Sequence, residues 1–324
     1  MRESMRVIFD GNSKLKSSNP VAIAIGTFDG IHLGHQALIK ELLTEKEQNS
    51  LTAVVYTFLQ HPLSVLNPQK APPLIMDLKQ KIRHFQRYGI DLLLLNAFDE
   101  ELARTPAEDF LERYLFHRMN IHTVIVGFNF RFGYKGLGDT ELLRRECRAR
   151  GIRAVIVPPV EFEGKTVSSS LIRELILDGD ITKANQLLGY PYSLYGKIVT
   201  GYQRGRKIGY PTANLLCRPT KVLPKFGVYL THAIIHGKLF WGVTNVGKNP
   251  TFVNDGIHVE TFFIDYSGDL YGKNLRLYFD HRIRDEEKFD SPEMLKRRIE
   301  MDVALAKKLR LQMGLDMLKY FSDN

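Results

Sequence analysis

VAIAIGTFDGIHLGHQALIKELL, residues 21–43, decides the fold of the first half of the chain. Val21 to Gly26 is an apolar run ending on glycine, and Leu38, Ile39, Leu42 and Leu43 then recur at helical spacing. A buried strand leading into an amphipathic helix is one β-to-α step, and the step repeats downstream. TAVVYTF (Thr52 to Phe58) precedes a polar helix around LKQKIRHFQRYG that ends at Gly89, and DLLLL (Asp91 to Leu95) precedes AEDFLERYLFHRM. TVIVGF (Thr123 to Phe128) precedes a basic helix from Thr140 to Arg150, and AVIVPP (Ala154 to Pro159) closes the series. Short apolar runs separated by helices indicate a parallel sheet covered on both faces. The prediction is an α/β doubly wound domain over residues 18–160.

After Pro159 the period changes. VSSSLIRELILDGD and ITKANQLLG read as two short helices, each ended near a glycine. From Tyr195 onward KIVTGY, GVYLTHAII, KLFWGVTNVG, HVETFFIDY and NLRLYF favour strands, parted by glycine-containing turns. Such spacing gives antiparallel strands, and a small closed barrel removes their edges. A last helix begins near DSPEM, with Ser291 as its cap and Pro292 at the first helical position. Leu295, Ile299, Ala306, Leu309 and Met313 give it an apolar face for the barrel. The expected domains are residues 1–189 and 190–324.

With 324 residues, 44% hydrophobic and 25% charged, the chain can fill two ordinary cores, which excludes a disordered chain and a disulfide-stapled miniprotein. Cys147 and Cys217 read as free thiols of a reducing compartment. No apolar run is long enough to span a membrane, and MRESMRVIFDGNSK lacks a signal-peptide pattern. The expectation is a cytoplasmic protein with no membrane partner; a homo-oligomer stays open. The net charge of +9 asks for an anionic partner without choosing among nucleic acid, nucleotide phosphates and a membrane surface.

The strongest chemical signal is GTFDGIHLGH, Gly26 to His35. It joins a strand to a helix, where free backbone N–H groups bind anions. Gly26, Gly30 and Gly34 allow close approach of a phosphate, and His32 and His35 share one face if the helix has begun. Two imidazoles there could donate to a triphosphate. A tight turn with surface histidines fits the same spacing. The stretch is neither a GxxxxGK phosphate loop, since no lysine follows, nor a dinucleotide GxGxxG.

GTFDGIHLGH resembles the HxGH signature of the nucleotidyltransferase superfamily, and its surroundings resemble the adenylyltransferase half of bacterial bifunctional riboflavin kinase/FAD synthetases. The resemblance implies a Rossmann-like domain of HxGH type. Ser168-Ser169-Ser170-Leu171-Ile172-Arg173 looks like the superfamily's second signature, with Ser170 where threonine is usual. GFNFRFG, Gly127 to Gly133, looks like the flavin- and nucleotide-side loop. By this resemblance His32 and His35 hold the ATP phosphates and steady the transition state, and Asp29 is the acidic neighbour of that site. Gly26, Phe28, Gly30 and Gly34 line the site, Asn129 orients the phosphate chain, and Ser168, Ser169 and Arg173 approach from the other side. TFLQHP resembles the family's TFxPHP stretch near the flavin, with Phe58 in it and Gln60 where proline is expected.

The second constellation is GRKIGYPTANL, Gly205 to Leu215. Thr212 and Asn214, two apart in an extended segment, offer a hydroxyl and an amide oxygen on one side, suited to Mg²⁺; an exposed polar pair fits equally. The stretch resembles the riboflavin kinase signature GRxxGxPTAN, and LPKFGVYL, GVTNVGKNPTF and VETFFIDYSGDLYG continue the resemblance. It implies that Thr212 and Asn214 coordinate Mg²⁺ on the nucleotide phosphates. It also implies that Glu260 accepts the proton of the flavin's ribityl 5′-hydroxyl. Lys197, Arg204, Gly205, Arg206 and Lys207 belong to a loop that would cover the phosphates. ATP is then the co-substrate, with riboflavin, FMN and FAD as substrate and products.

Phe128, Phe130 and Phe132 alternate with other residues, and period two would put them on one side of an extended loop facing a flavin ring. Core packing is the alternative for each. Two rival functions stand beside the bifunctional one. Ser170 and Gln60 motivate a monofunctional riboflavin kinase with an impaired or altered nucleotidyltransferase domain. The positive charge motivates a flavin-sensing nucleic-acid-binding regulator, although no helix-turn-helix, RNA-recognition or zinc motif accompanies it.

Overall fold

The structure is a computed structural model that describes residues 5–9, 19–201, 205, 208–218, 220–248 and 257–322, with side chains up to 311. Arg204, Arg206, Lys207 and the Met313 side chain lie outside the described residues. The chain forms two compact units, Met1–Ser169 and Ser170–Asn324.

In the first unit, β1 (Arg6–Phe9), β2 (Val21–Ile25), β3 (Thr52–Phe58), β4 (Leu92–Asn96), β5 (Ile121–Gly127) and β6 (Arg153–Val157) form one sheet. Its order is β1-β4-β3-β2-β5-β6 and every neighbouring pair is parallel. The expected doubly wound sheet is present. Strand β1, only four residues long, is the one that the apolar pattern does not announce. It adds an edge beside β4, with Arg6 opposite Leu92. Strands β2 and β4 are buried at all five positions, as strands covered on both faces must be. The chain runs from β2 to β3 on one side and returns to β5 on the other. The crevice at the C-terminal ends of β2 and β5 is therefore the topological switch point, where open α/β sheets bind ligands.

Helices α1 (Leu33–Asn49), α2 (Leu78–Tyr88) and α3 (Thr140–Ala149) follow β2, β3 and β5. Asp77 and Asp139 accept from backbone N–H groups at the starts of α2 and α3. The basic face of α3 is solvated and paired within its own surface, Arg144 with Glu141 at 2.7 Å and Arg150 with Glu146 at 2.9 Å. Cys147 and Cys217 are free, and burial pushes their thiols up to about 11 and about 12, which leaves neither a ready nucleophile.

Helices α4 (Ser169–Asp178), whose first residue ends the first unit, and α5 (Ile181–Leu188) of the second unit are the two short helices expected from the sequence. Asn185 of α5 donates to Phe279 O at 2.8 Å and accepts from Tyr192 N at 2.7 Å, which docks α5 on the barrel. After the short antiparallel hairpin of β7 (Glu161–Phe162) and β8 (Lys165–Thr166) in the first unit, the barrel consists of β9 (Tyr192–Val199), β10 (Ala213–Cys217), β11 (Gly227–Ile235), β12 (Lys238–Lys248), β13 (Ile257–Phe263) and β14 (Asn274–Arg284). It closes in the order β10-β13-β12-β11-β14-β9, antiparallel throughout. Lys197 stands within β9 and not in a loop. Three buried hydroxyls, Thr231, Thr244 and Thr261, satisfy one another across the strands at 2.7 and 2.8 Å.

The last helix, α6 (Pro292–Ser322), is capped by Ser291 Oγ, which accepts from Met294 N at 3.2 Å. Its Ile299, Val303, Ala306 and Leu309 pack on Val228, Leu230, Trp241 and Val243 of the barrel. Arg284 fixes that contact, donating to Asp302 at 2.7, 3.0 and 3.1 Å. Both side chains are nearly buried, so removing one leaves the other charge with a longer ion pair alone, Arg284 with Glu287 at 4.0 Å or Asp302 with Arg298 at 3.8 Å. Asp302→Ala is expected to destabilise this unit by about 2–4 kcal/mol, read as a lower thermal unfolding midpoint. Arg284→Met combined with Asp302→Leu should recover most of the loss.

Candidate active sites

The turn between β2 and α1 is held in an unusual backbone. Phe28 (φ 49°), Gly30 (φ 88°) and Ile31 (φ 37°) all have positive φ. Bulky residues in this region are strained, and such strain persists only where the surroundings fix it. They do so here. The Phe28 ring is fully buried against His35 (5.1 Å) and Phe85 (5.3 Å), so Phe28 can offer a ligand its backbone only. Asp29 is buried, and its carboxylate accepts from Ile75 N at 3.1 Å and Met76 N at 3.3 Å. Gly26 N–H donates to Tyr56 O at 3.2 Å, which ties the start of the turn to β3.

His32 caps α1. Its Nδ1 accepts from His35 N at 3.4 Å, which leaves Nε2 to carry the proton as a donor. The two imidazoles stack, with centroids 3.7 Å apart. Burial, followed by the charges of His32 and Lys81, holds His35 well below the usual histidine range, so it is neutral at pH 7. Gly34 makes room for this arrangement, since a Cβ there would come within 3.1 Å of the His32 ring. The second serine segment reaches the same turn: Ser169 Oγ donates to Asp29 O at 2.8 Å. Ser168 is half-buried, while Ser170 is exposed. Arg173 is buried one turn further along α4, in the second unit.

Asn129 is exposed in the turn that follows β5. The aromatic run does not behave as period two predicts. Phe130 N–H donates to Gly127 O at 3.0 Å, which closes a turn where an extended loop is expected. Phe128 is exposed, Phe130 stacks on Phe132 at 5.3 Å, and Phe132 is buried against Phe110. Phe58 is half-buried, edge-on to Phe98 at 5.3 Å.

In the barrel, strand register brings together what the sequence keeps apart. Asn214 on β10 lies directly opposite Glu260 on β13, and Asn245 on β12 lies opposite Glu260 on its other side. Cross-strand partners share a face, so an amide flanks the carboxylate on each side. The Asn245 side chain is held by His258 Nε2 at 3.1 Å and by a hydrogen bond to Glu286, whose carboxyl burial pushes up. Glu260 opens onto a cavity of about 480 Å³ walled by Tyr210, Phe262, Phe289 and Ile299. A neighbouring cavity of about 590 Å³ is walled by Pro211, Phe263, Tyr266 and Asp269, and Thr212 lines both. Gly205 closes the intervening turn, accepting from Tyr210 N at 2.8 Å.

The Thr212–Asn214 pair fits a hard cation. Asn214 Oδ1 is buried with no hydrogen-bond partner among the described residues. A Cβ at Gly201 would fall 2.4 Å from the Asn214 amide, so the bare backbone there leaves that amide its space. No cluster of three His, Cys, Asp or Glu among the described residues could hold a metal. A cation would therefore take these neutral oxygens together with substrate oxygens, as Mg²⁺ commonly does.

A family model described as FAD synthetase matches residues 14–171, and one described as riboflavin kinase matches residues 188–310. The bifunctional riboflavin kinase/FMN adenylyltransferase of Buchnera aphidicola is 32% identical over 308 residues, covering 94% of this chain and 98% of its own length. The chain belongs to the bifunctional riboflavin kinase/FMN adenylyltransferase family. The Bacillus subtilis relative of that name is 34% identical and covers 86% of this chain and 89% of its own. A solved structure titled as a macrolide-efflux protein from Streptococcus pneumoniae superimposes with a TM-score of 0.85. It is 33% identical and covers 93% of this chain and 98% of its own. Among the described residues no helix is long and apolar enough to cross a membrane.

Against the family pattern, Gln60 is accommodated: its amide donates to Phe98 O at 2.9 Å and ties the loop after β3 to the end of β4. Ser170, being exposed, leaves no packing gap for its missing methyl. Sequence reasoning missed Asn245 and His258, which the pairing of β12 with β13 brings to Glu260, and Glu286, which lines the same cavity and hydrogen-bonds Asn245. It also missed Lys81, hidden in a helix that reads as merely polar.

Proposed function

We propose that the chain phosphorylates riboflavin to FMN with ATP in the barrel and transfers AMP from a second ATP to FMN in the α/β domain, giving FAD and pyrophosphate. The first activity belongs to residues 190–324 and the second to residues 1–189. The observation that carries this reading is the register that sets Glu260 between Asn214 and Asn245 on one barrel face. The aromatic cavity beside Glu260 suits an isoalloxazine ring, and the cavity across Thr212 suits the nucleotide. Glu260 accepts the proton of the 5′-hydroxyl as that oxygen attacks the γ-phosphate. Thr212 and Asn214 would hold Mg²⁺, which neutralises charge on the transferring phosphoryl group when bound.

In the α/β domain no proton need be removed from a hydroxyl, since the FMN phosphate is already the nucleophile. The site has to align two anions and stabilise the departing pyrophosphate. The strained turn presents backbone N–H groups, His32 offers Nε2–H, and neutral His35 avoids charge repulsion within the stack. Ser169 holds the turn through Asp29 O; Ser168, Arg173 and Asn129 are the remaining phosphate contacts implied by the resemblance. Phe58, Phe128 and Phe130 are the aromatic surfaces for FMN, with Phe132 as their buried support.

The rival of a single-activity kinase is decided by supplying FMN, ATP and Mg²⁺ without riboflavin. FAD and pyrophosphate are expected in equal amounts at an enzymatic rate. Unchanged FMN would establish the rival.

A further inference from the structure

The turn that opens α1 carries no lysine in sequence, but the fold brings one to it. Lys81, on the first turn of α2 and 54 residues from Thr27, donates through Nζ to Thr27 O at 2.8 Å. The two segments interlock. Asp29 takes the N–H groups of Ile75 and Met76 just ahead of α2, and Lys81 reaches back to the carbonyl two residues before Asp29. We propose that Lys81 is a phosphate-contacting residue of the adenylyl-transfer site, supplying from α2 the cation that a GxxxxGK loop carries within its own sequence. This deepens the functional reading above and rests on it for the identity of the anion.

An ammonium group has three N–H donors, and among the described residues Thr27 O is the one partner of Lys81. Two donors therefore remain on a half-buried cation beside a strained anion-binding turn. Such a group is costly to desolvate unless an anion completes it. The titratable groups around it are the carboxylate of Asp29 on the turn and the neutral imidazole of His35 at the start of α1, with His32 stacked on His35. Asp29 accepts from the N–H groups of Ile75 and Met76 and acts on the Lys81 amine through its charge, while the hydrogen bond of Lys81 Nζ goes to Thr27 O. Burial pulls the Lys81 amine down to about 8, against the opposing pull of Asp29. A phosphate anion beside it would raise that value again, which is the linkage expected of a binding group.

The test uses the full-length protein and inorganic pyrophosphate, titrated by calorimetry. The component of binding that His32→Ala removes is the first-site component. Lys81→Met is expected to weaken that component at pH 7 about tenfold or more, and Lys81→Arg to retain it. Riboflavin phosphorylation should be unchanged in both variants, and an unchanged far-ultraviolet circular dichroism spectrum and thermal unfolding midpoint show that the first unit, which carries Lys81, is folded. Lys81 is charged below pH about 8 and neutral above it, so wild-type affinity should fall as pH rises through that value. Arginine stays charged, so Lys81→Arg should lack that fall and also controls for the titration of pyrophosphate itself. Wild-type affinity in Lys81→Met would overturn the proposal, and so would equal weakening in Lys81→Arg, which would mark a latch on Thr27 and no more. A wild-type titration with no component sensitive to His32→Ala would also overturn it. None of these titrations needs turnover, so failure to convert FMN to FAD would overturn the functional reading separately.

Discussion

Glu260→Ala is expected to stop FMN formation from riboflavin, lowering its rate about 10²–10⁴-fold, while adenylylation of supplied FMN continues. The size of the effect follows from the position of the carboxylate. The flanking amides of Asn214 and Asn245 are neutral, so neither can take the hydroxyl proton in its place. Glu260→Gln keeps the volume and the cross-strand contacts and removes the basicity, and it should be nearly as inactive. Retained flavin binding in the Gln variant, followed by fluorescence, would separate lost chemistry from lost substrate. Measuring both half-reactions checks the assignment; a variant that loses FAD formation from FMN as well would contradict separate sites.

His32→Ala should do the reverse, cutting FAD formation from FMN about 10²–10³-fold with riboflavin phosphorylation unaffected. Its ring does two jobs. Nδ1 caps α1 and the ring stacks on His35, so alanine removes a helix cap and a stacking partner together with the phosphate contact proposed for Nε2–H. The cap alone is worth about 1 kcal/mol, which is too little to unfold the domain. His32→Asn restores a capping side chain without the imidazole. Recovery of thermal stability without recovery of adenylylation would assign the loss to the ring, whereas recovery of both would mean that the histidine serves as a cap alone.

Much of this organisation is written in local pattern. The apolar runs from Val21, Thr52, Asp91 and Thr123 are buried on both faces, and the run from Ala154 is the half-buried edge of the same sheet, so all five read as strands from their own pattern. The strand–turn–helix junction at Gly26–His35 announces an anion site because the chemistry lies within ten consecutive residues. What local pattern cannot carry is contact made by register or by a distant helix. Strand β10, ANLLC, is not among the runs that favour strands by pattern, and its place in the barrel comes from pairing with β9 and β13. Asn245 and His258 acquire meaning only when β12 and β13 pair, and Lys81 only when α2 folds back over Thr27. The GFNFRFG loop shows the opposite failure. Its alternating phenylalanines suggest an extended face, but a turn after Gly127 turns Phe132 into the core and Phe128 out to solvent. The positive charge is similarly redistributed. Arg144 of α3 and Arg150 just beyond it are paired with glutamates on the surface, whereas Lys81 on α2 reaches back to Thr27 O in the turn before α1.

One chain is expected to perform two consecutive reactions at two separate sites. The direct measurement is a time course of the wild-type protein with riboflavin as the sole flavin and with ATP and Mg²⁺, following every flavin together with ADP and pyrophosphate. FMN is expected to rise and then give way to FAD, with one ADP formed for each riboflavin consumed and one pyrophosphate for each FAD. Accumulation of FMN with no FAD and no pyrophosphate, or no consumption of riboflavin at all, would contradict the account.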